Sequence, residues 1–149
     1  MNRQGFTLIE LLITLLIIGI LANLAYPALN HMRRRAQAAH MVGDFGVVRI
    51  AALDHYAASG NYPATSGWGQ IPPELATSLP SGFSFTYGDA TYRWHRWSLP
   101  DGSPADPSQT VLLGLDVHSE DVDLMAALAS EFRGGTAFGT PTEITLVVE

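Results

Sequence analysis

The feature that most constrains this chain is an almost wholly apolar run near its N-terminus. Of the residues from Phe6 to Tyr26, thirteen are Leu, Ile or Phe, and only Glu10 is charged. On a membrane-insertion scale those thirteen contribute about −4 to −8 kcal/mol, whereas one carboxylate costs about +2.5 to +3.5 kcal/mol at the centre of a span. Glu10 lies near the end of the run, where the cost is smaller. The run therefore predicts a transmembrane helix that carries a carboxylate.

A carboxylate inside a span indicates a function, and its partner has to be identified. Cleavage after Gly5 would make Phe6 the new N-terminus and place an ammonium group about one helical turn from Glu10. That amine, or the amine of a neighbouring copy, is the expected partner. The alternative is an uncleaved signal anchor that tolerates the glutamate, which leaves the positions of Gly5 and Glu10 unexplained.

The segment Gly5-Phe6-Thr7-Leu8-Ile9-Glu10 resembles the processing site of type IV pilins and type II secretion pseudopilins. The resemblance implies that a prepilin peptidase removes residues 1–5 as a leader and that Phe6 is then N-methylated. It also implies that Glu10 sets the register of each subunit in a helical filament. The helix between Gly19 and Pro27 is implied to unwind when subunits pack. The implied partners are other pilins or pseudopilins and an inner-membrane assembly platform.

The rest of the chain predicts one small domain behind the span. We expect residues 6–27 to form the transmembrane or filament-core helix, 28–59 its amphipathic second half, and 60–149 a globular domain. Such a helix would measure about 80 Å at 1.5 Å per residue, so its second half must bury an apolar stripe. The predicted stripe comprises Leu29, Met32, Ala36, Ala39, Val42, Phe45, Val48, Ala52 and Tyr56.

Alternating and apolar segments beyond the helix predict a small antiparallel sheet. Residues 83–87 and 91–97 read as a hairpin, 110–117 as a central strand and 143–148 as a closing strand. A short helix between the last two is predicted to be capped by Ser119, to bury Val122, Met125, Leu128, Ala129 and Phe132, and to end at Gly134-Gly135. The expected fold class is α+β, pilin-like: a long N-terminal helix packed against about four antiparallel strands.

The charges around the span give conflicting signals about its orientation. Arg33, Arg34 and Arg35 follow the apolar run, and by the positive-inside rule they would place the domain in the cytoplasm. The processing motif is the more specific signal and places the domain outside. We therefore expect a single-pass inner-membrane protein with an extracytoplasmic domain, which becomes a cell-surface or periplasmic filament. We expect the three arginines to contact acidic faces of adjacent subunits; the alternative is a solvated helix face.

Nucleic-acid binding is the first of two other functions that the sequence brings into consideration. Residues 92–97 interleave basic and aromatic side chains, as single-strand nucleic-acid platforms do, which makes a DNA-uptake minor pilin an alternative. Beyond Ala36, however, four arginines face thirteen acids, and such a domain repels phosphate. We therefore favour a half-buried strand with an Arg–aromatic outer face, and nucleic acid is not an expected partner.

Metal binding and catalysis are the other possibilities. Residues 101–106 and 116–123 are rich in oxygen ligands, but the complete calcium-loop pattern of major pseudopilins is not matched. No metal and no cofactor are therefore expected, and a bound Ca²⁺ ion is the alternative. The five histidines have no ligand spacing, and the sequence contains no catalytic motif. The expected function is thus a structural subunit that polymerises through its helix, not an enzyme. The alternative is a signal-anchored binding domain that does not polymerise.

Overall fold

The computed structural model describes residues 6–97 and 112–148, and the chain divides into two compact units, Met1–Arg34 and Arg35–Glu149. Two predicted features lie outside the described residues: the leader with Gly5, and the loop at 98–108 that contains part of the oxygen-rich sequence.

The first unit is dominated by the beginning of helix α1, which spans Leu8–Ser59. An 18-residue window of this helix has a mean hydropathy of 2.5 and contains no buried residue, so α1 is long and apolar enough to cross a membrane. The helix ends at Ser59, where the sequence predicts. It also continues through Pro27, because a proline removes one backbone bond while the bonds of neighbouring turns remain.

The second unit contains a five-stranded antiparallel sheet in the order β1-β2-β3-β5-β4. The strands are β1 (Thr86–Tyr87), β2 (Ala90–Arg96), β3 (Leu113–His118), β4 (Ala137–Gly139) and β5 (Glu143–Val147). The predicted α+β fold, the hairpin and the central position of β3 are confirmed. The fifth strand is β4, which is too short and too glycine-rich to show an alternating pattern.

The distal half of α1 supplies one wall of the hydrophobic core. Its buried residues are Ala38, Met41, Phe45, Val48, Ala51 and Ala52, which pack with the inward side chains of β2, β3 and β5. The predicted stripe was correct for Phe45, Val48 and Ala52. Val42 is half-buried, and the prediction was wrong for five exposed residues: Leu29, Met32, Ala36, Ala39 and Tyr56. A stripe extended from the apolar run in mixed steps of three and four drifts off the face that the sheet covers.

Helix α2 (Val122–Glu131) differs from its prediction at the N-terminus. Its N-cap is Asp121, whose carboxylate accepts the backbone N–H groups of Asp123 and Leu124; Ser119 instead accepts the N–H of Asp121. Leu124, Met125 and Leu128 are buried, as predicted for the last two, whereas Val122 and Ala129 are exposed.

Candidate assembly site

Glu10 lies at the start of α1 in a reciprocal capping arrangement with Thr7. The Thr7 hydroxyl donates to Glu10 Oε2 at 2.7 Å, and the Thr7 backbone N–H donates to the same oxygen at 3.0 Å. The Glu10 N–H donates in turn to the Thr7 hydroxyl at 3.4 Å. This is a capping box, in which a threonine at the N-cap and a glutamate three residues later satisfy each other's backbone groups.

The sequence analysis missed Thr7 as a partner of Glu10. The signal was present, because Thr7-Leu8-Ile9-Glu10 has the capping-box spacing. These bonds give the Glu10 carboxylate hydrogen-bond donors from the protein itself, within a segment that is otherwise apolar. They leave its second oxygen, Oε1, as the acceptor for a further donor such as an ammonium group. Pairing between Glu10 and an N-terminal amine stays a prediction.

Gly19 and Pro27 both lie inside α1. A Cβ at Gly19 would meet no atom within 4 Å, so nothing in the described chain requires a glycine there. A Cβ at Gly43 or Gly46 would likewise meet no atom within 4 Å. Unwinding between Gly19 and Pro27 in a filament stays a prediction.

The arginine cluster after the apolar run does not act as one patch. Arg35 donates two hydrogen bonds to Glu131 Oε1 on α2, at 3.1 Å from Nε and 2.9 Å from an η nitrogen. Arg35 therefore has a partner within its own subunit. That Arg33, Arg34 and Arg35 contact adjacent subunits stays a prediction, and Arg35 would have to share Glu131 to do so.

A buried ion-pair network lies on the outer face of the sheet, the face opposite the hydrophobic core. Asp116 on β3 is 1% exposed, and its Oδ1 accepts the hydroxyl of Thr145 at 2.7 Å. Its Oδ2 accepts Arg93 Nε at 2.9 Å and lies 3.0 Å from His95 Nδ1. Arg93 also contacts Glu143 at 3.3 Å. The network joins β2, β3 and β5 through a single carboxylate.

Aromatic rings surround this network. Arg93 lies over the ring of Trp68 at 4.2 Å from its centroid, and His95 stacks on Trp97 at 4.2 Å between centroids. Gly114 makes room for Trp97, since a Cβ there would lie 3.1 Å from the indole. The prediction of a half-buried strand with an Arg–aromatic outer face is confirmed.

The same geometry bears on the alternative of nucleic-acid binding. Tyr92 and Trp94 are fully buried on the core face, so they are not available for stacking on bases. Arg93 is paired with two carboxylates, which cancels the attraction of its charge for phosphate. Within residues 6–97 and 112–148, no group of three or more His, Asp or Glu side chains is arranged to hold a metal ion.

A buried hydrogen bond connects the distal half of α1 to the sheet. The Tyr92 hydroxyl donates to Asp44 Oδ2 at 2.9 Å, and His40 Nδ1 lies 3.2 Å from the same oxygen. Burial, followed by the Asp44 charge, raises the pKa of Tyr92 above its ordinary value. Tyr92 thus stays protonated as a donor, and the bond fixes this part of α1 on β2.

Comparison with known proteins identifies the family. Residues 1–25 match the family model described as the prokaryotic N-terminal methylation motif. The type II secretion system core protein G of Aeromonas hydrophila is 30% identical over 127 residues, which make up 82% of this chain and 85% of that protein. This chain belongs to the type IV pilin and type II secretion pseudopilin family.

Other relatives in this pilin and pseudopilin family match over a smaller share of their length. Fimbrial protein EcpC of Eikenella corrodens is 40% identical over 62 residues, 42% of this chain and 40% of that protein. The type IV major pilin protein PilE1 of Neisseria gonorrhoeae is 37% identical over 73 residues, 48% of this chain and 44% of that protein. This chain thus matches less than half the length of these two relatives. No solved structure matches it significantly.

Proposed function

We propose that this pilin-family protein is a filament subunit that is anchored in the inner membrane with its N-terminus in the cytoplasm. A prepilin peptidase hydrolyses the peptide bond after Gly5, and the new amine of Phe6 is methylated. The mature subunit then assembles through α1 into a type IV pilus or a type II secretion pseudopilus. No catalytic role of its own is proposed.

The observation that carries this proposal is the first part of α1. Every residue from Leu8 to Tyr26 is exposed, although most are apolar and one is a carboxylate held by a capping bond. An apolar surface on all sides of a helix needs lipid or other apolar helices around it. Both are supplied in turn, by the bilayer before assembly and by the packed helices of a filament after it.

Glu10 gives this packing its register. In hydrocarbon an ionised carboxylate is expensive unless a cationic partner reaches it. The amine created by cleavage is such a partner, and a subunit placed out of register leaves both charges unpaired. Correct stacking is therefore favoured over all other axial positions.

The test is the mass of the N-terminus in protein isolated from the native host, together with electron microscopy of sheared surface fractions. The expected result is a chain that begins at Phe6 with one added methyl group and is present in filaments. A chain that retains Met1–Gly5 and forms no filament would favour the signal-anchored binding domain and overturn the proposal.

A further inference from the structure

A cleft with two arginines lies where the distal half of α1, the C-terminal end of α2 and the end of β5 meet. Its volume is about 530 Å³. Val42, Phe45 and Phe132 contribute apolar surface, and Arg49 and Arg133 contribute charge. We call this the basic cleft. All of its lining residues belong to the second unit.

Among residues 6–97 and 112–148, the two arginines of the basic cleft have no ion-pair partner. In the described part of the chain, no carboxylate lies within ion-pair distance of Arg49 or Arg133, and Arg133 Nε donates to the carbonyl oxygen of Ser130 at 3.0 Å. Glu131, which also lines the cleft, is bonded to Arg35.

This arrangement is unusual in so acidic a domain. Only four of the residues beyond Ala36 are basic, against thirteen acids, and two of those four lie at this one cleft. Of the other two, Arg93 pairs with Asp116, and Arg96 donates to the carbonyl oxygen of Tyr62 at 3.2 Å. The basic cleft therefore suits a partner with both acidic and apolar side chains.

The same subunit presents a complementary surface at the other end of α2. Residues 120–123, which we call the acidic turn, contain three carboxylates and one valine. The Glu120 side chain is 89% exposed, and Val122 is 49% exposed although it is apolar. Within the subunit Glu120 Oε1 lies 3.5 Å from His118 Nε2 and Asp121 Oδ1 caps α2, so the acidic turn presents chiefly the exposed Glu120 to a partner.

We propose that the basic cleft of one subunit receives the acidic turn of a second copy. Glu120 then faces the two arginines of the cleft, and Val122 covers part of its apolar floor. Two basic clefts repel each other, as do two acidic turns, so like patches do not pair. This inference rests on the proposed function, since it names a contact between the domains of a filament.

The positions of the two patches determine what the contact can build. They lie at opposite ends of a helix of 10 residues, about 15 Å apart along its axis. A contact between two different patches is heterologous, so each bound copy offers a new basic cleft or acidic turn to the next. The contact therefore propagates along a row of subunits instead of closing a symmetric dimer.

Cysteine cross-linking tests the contact, because the chain contains no cysteine of its own. The full-length double variant Val122→Cys/Thr136→Cys places one thiol on the acidic turn and one on the basic cleft. In filaments from the native host, mild oxidation is expected to produce a ladder of dimers, trimers and longer species. The single variants and the control pair Ser78→Cys/Thr136→Cys are expected to stay monomeric. Dimers from either single variant would show that like patches meet, and would overturn the proposal.

Charge reversal gives an independent test. Arg133→Glu and Glu120→Arg are each expected to reduce the filament yield by roughly tenfold, and the double reversal to restore most of it. Asp89→Arg, at the turn between β1 and β2, changes the net charge by the same amount as Glu120→Arg. It is the control and is expected to have little effect. Resistance to protease confirms that each variant is folded.

The outcomes separate this inference from the proposed function. If the native chain forms filaments but neither reversal changes their yield and no ladder appears, the cleft contact is wrong and the proposed function stands. If both reversals reduce the yield but the double reversal does not restore it, the two patches do not contact each other. If the native chain forms no filaments at all, the proposed function fails, and this inference fails with it.

Discussion

The two halves of α1 differ in whether the rest of the chain covers their apolar residues. In the first half Leu16 and Ile17 are 62% and 51% exposed, and no neighbouring element of their unit covers them. In the second half Met41 and Val48 are fully buried against the domain. The same helix thus has one part whose partners lie outside the chain and one part whose partners lie within it. Substitutions in the first part should affect assembly, and substitutions in the second should affect folding.

Glu10→Ala should have the largest effect and should act only on assembly. We expect filaments to be abolished, because the charge that we propose to set the axial register is lost, while the domain keeps its unfolding transition. The measurement is filament yield alongside thermal unfolding of the solubilised full-length chain. Glu10→Gln is the matched control, since its amide oxygen can still accept from Thr7 without a charge. Filaments from the glutamine variant would show that capping, and not ion pairing, is what assembly requires.

Phe45→Ala should have the largest effect on folding. Truncation of a buried phenylalanine costs about 3–5 kcal/mol in the free energy of unfolding, because it removes transfer energy and leaves a cavity. Leu16→Ala, in the first half, should change the same quantity by less than about 0.5 kcal/mol. Denaturant unfolding followed by tryptophan fluorescence measures both, since all three tryptophans lie in the second unit. Equal losses from the two variants would contradict the division of α1.

Asp116→Asn tests the outer face of the sheet. An asparagine side chain would place an amide N–H₂ group or an uncharged oxygen next to the donors that bind the Asp116 carboxylate in the native protein. We expect this change to lower the free energy of unfolding by about 2 kcal/mol. Glu143→Gln is the control, because its side chain is 42% exposed and its ion pair with Arg93 is correspondingly weak. Denaturant titration of both variants checks the difference. A loss as large for the control would mean that Asp116 has no special role.

Tyr92→Phe should cost about 1 kcal/mol and alter the response to alkaline pH. The pKa of Tyr92 is raised in the folded protein, while the unfolded chain ionises near its ordinary value of about 10. The contribution of Tyr92 to the free energy of unfolding is therefore fully present below about pH 10. It falls as the pH rises above that value, because only the unfolded state releases the proton. Thermal unfolding between pH 8 and 11 should show a shallower decline in the variant than in the native protein. Tyr56→Phe, on an exposed ring, is expected to keep the native slope.

Arg35→Ala should have the smallest effect. Its bonds to Glu131 join α1 to α2, but the arginine side chain is 58% exposed, so the loss should stay below about 1 kcal/mol and shrink further in high salt. Unfolding at low and high ionic strength measures it. A larger, salt-independent loss would show that this pair fixes α2 in place.

The sequence predicted those parts of the structure that depend on local patterns. The end of α1 at Ser59, the hairpin and the existence of α2 follow from periodicity and turn residues. Features that depend on contacts between distant residues were not predictable. Asp116 meets Arg93 and Thr145 only because the cross-strand register places them side by side, and Phe45 meets Phe132 across a separation of 87 residues.

The candidate site was likewise predictable only where it depends on residues that are close together in the sequence. The processing motif is contiguous and was found from the sequence, and the capping bond between Thr7 and Glu10 spans three residues and was within reach. The basic cleft was not, because Arg49 lies in α1 and Arg133 lies just beyond the C-terminal end of α2, and neither has a neighbour in the sequence that marks it. The error at the cap of α2 was local: Ser119 and Asp121 are both good capping residues, and only the backbone shows which one caps the helix.

The Asp116 network has a consequence for how a chain without cysteines holds its domain together. One carboxylate joins three strands through hydrogen bonds and ion pairs, without any covalent cross-link between them. If β3 shifted by one residue against either neighbouring strand, Asp116 would turn towards the hydrophobic core and Arg93 would lose its ion pair with Asp116. The Asp116 network therefore also favours the correct pairing of the strands. Unlike a disulfide bond, it forms without an oxidant or a disulfide isomerase in the compartment where the domain folds.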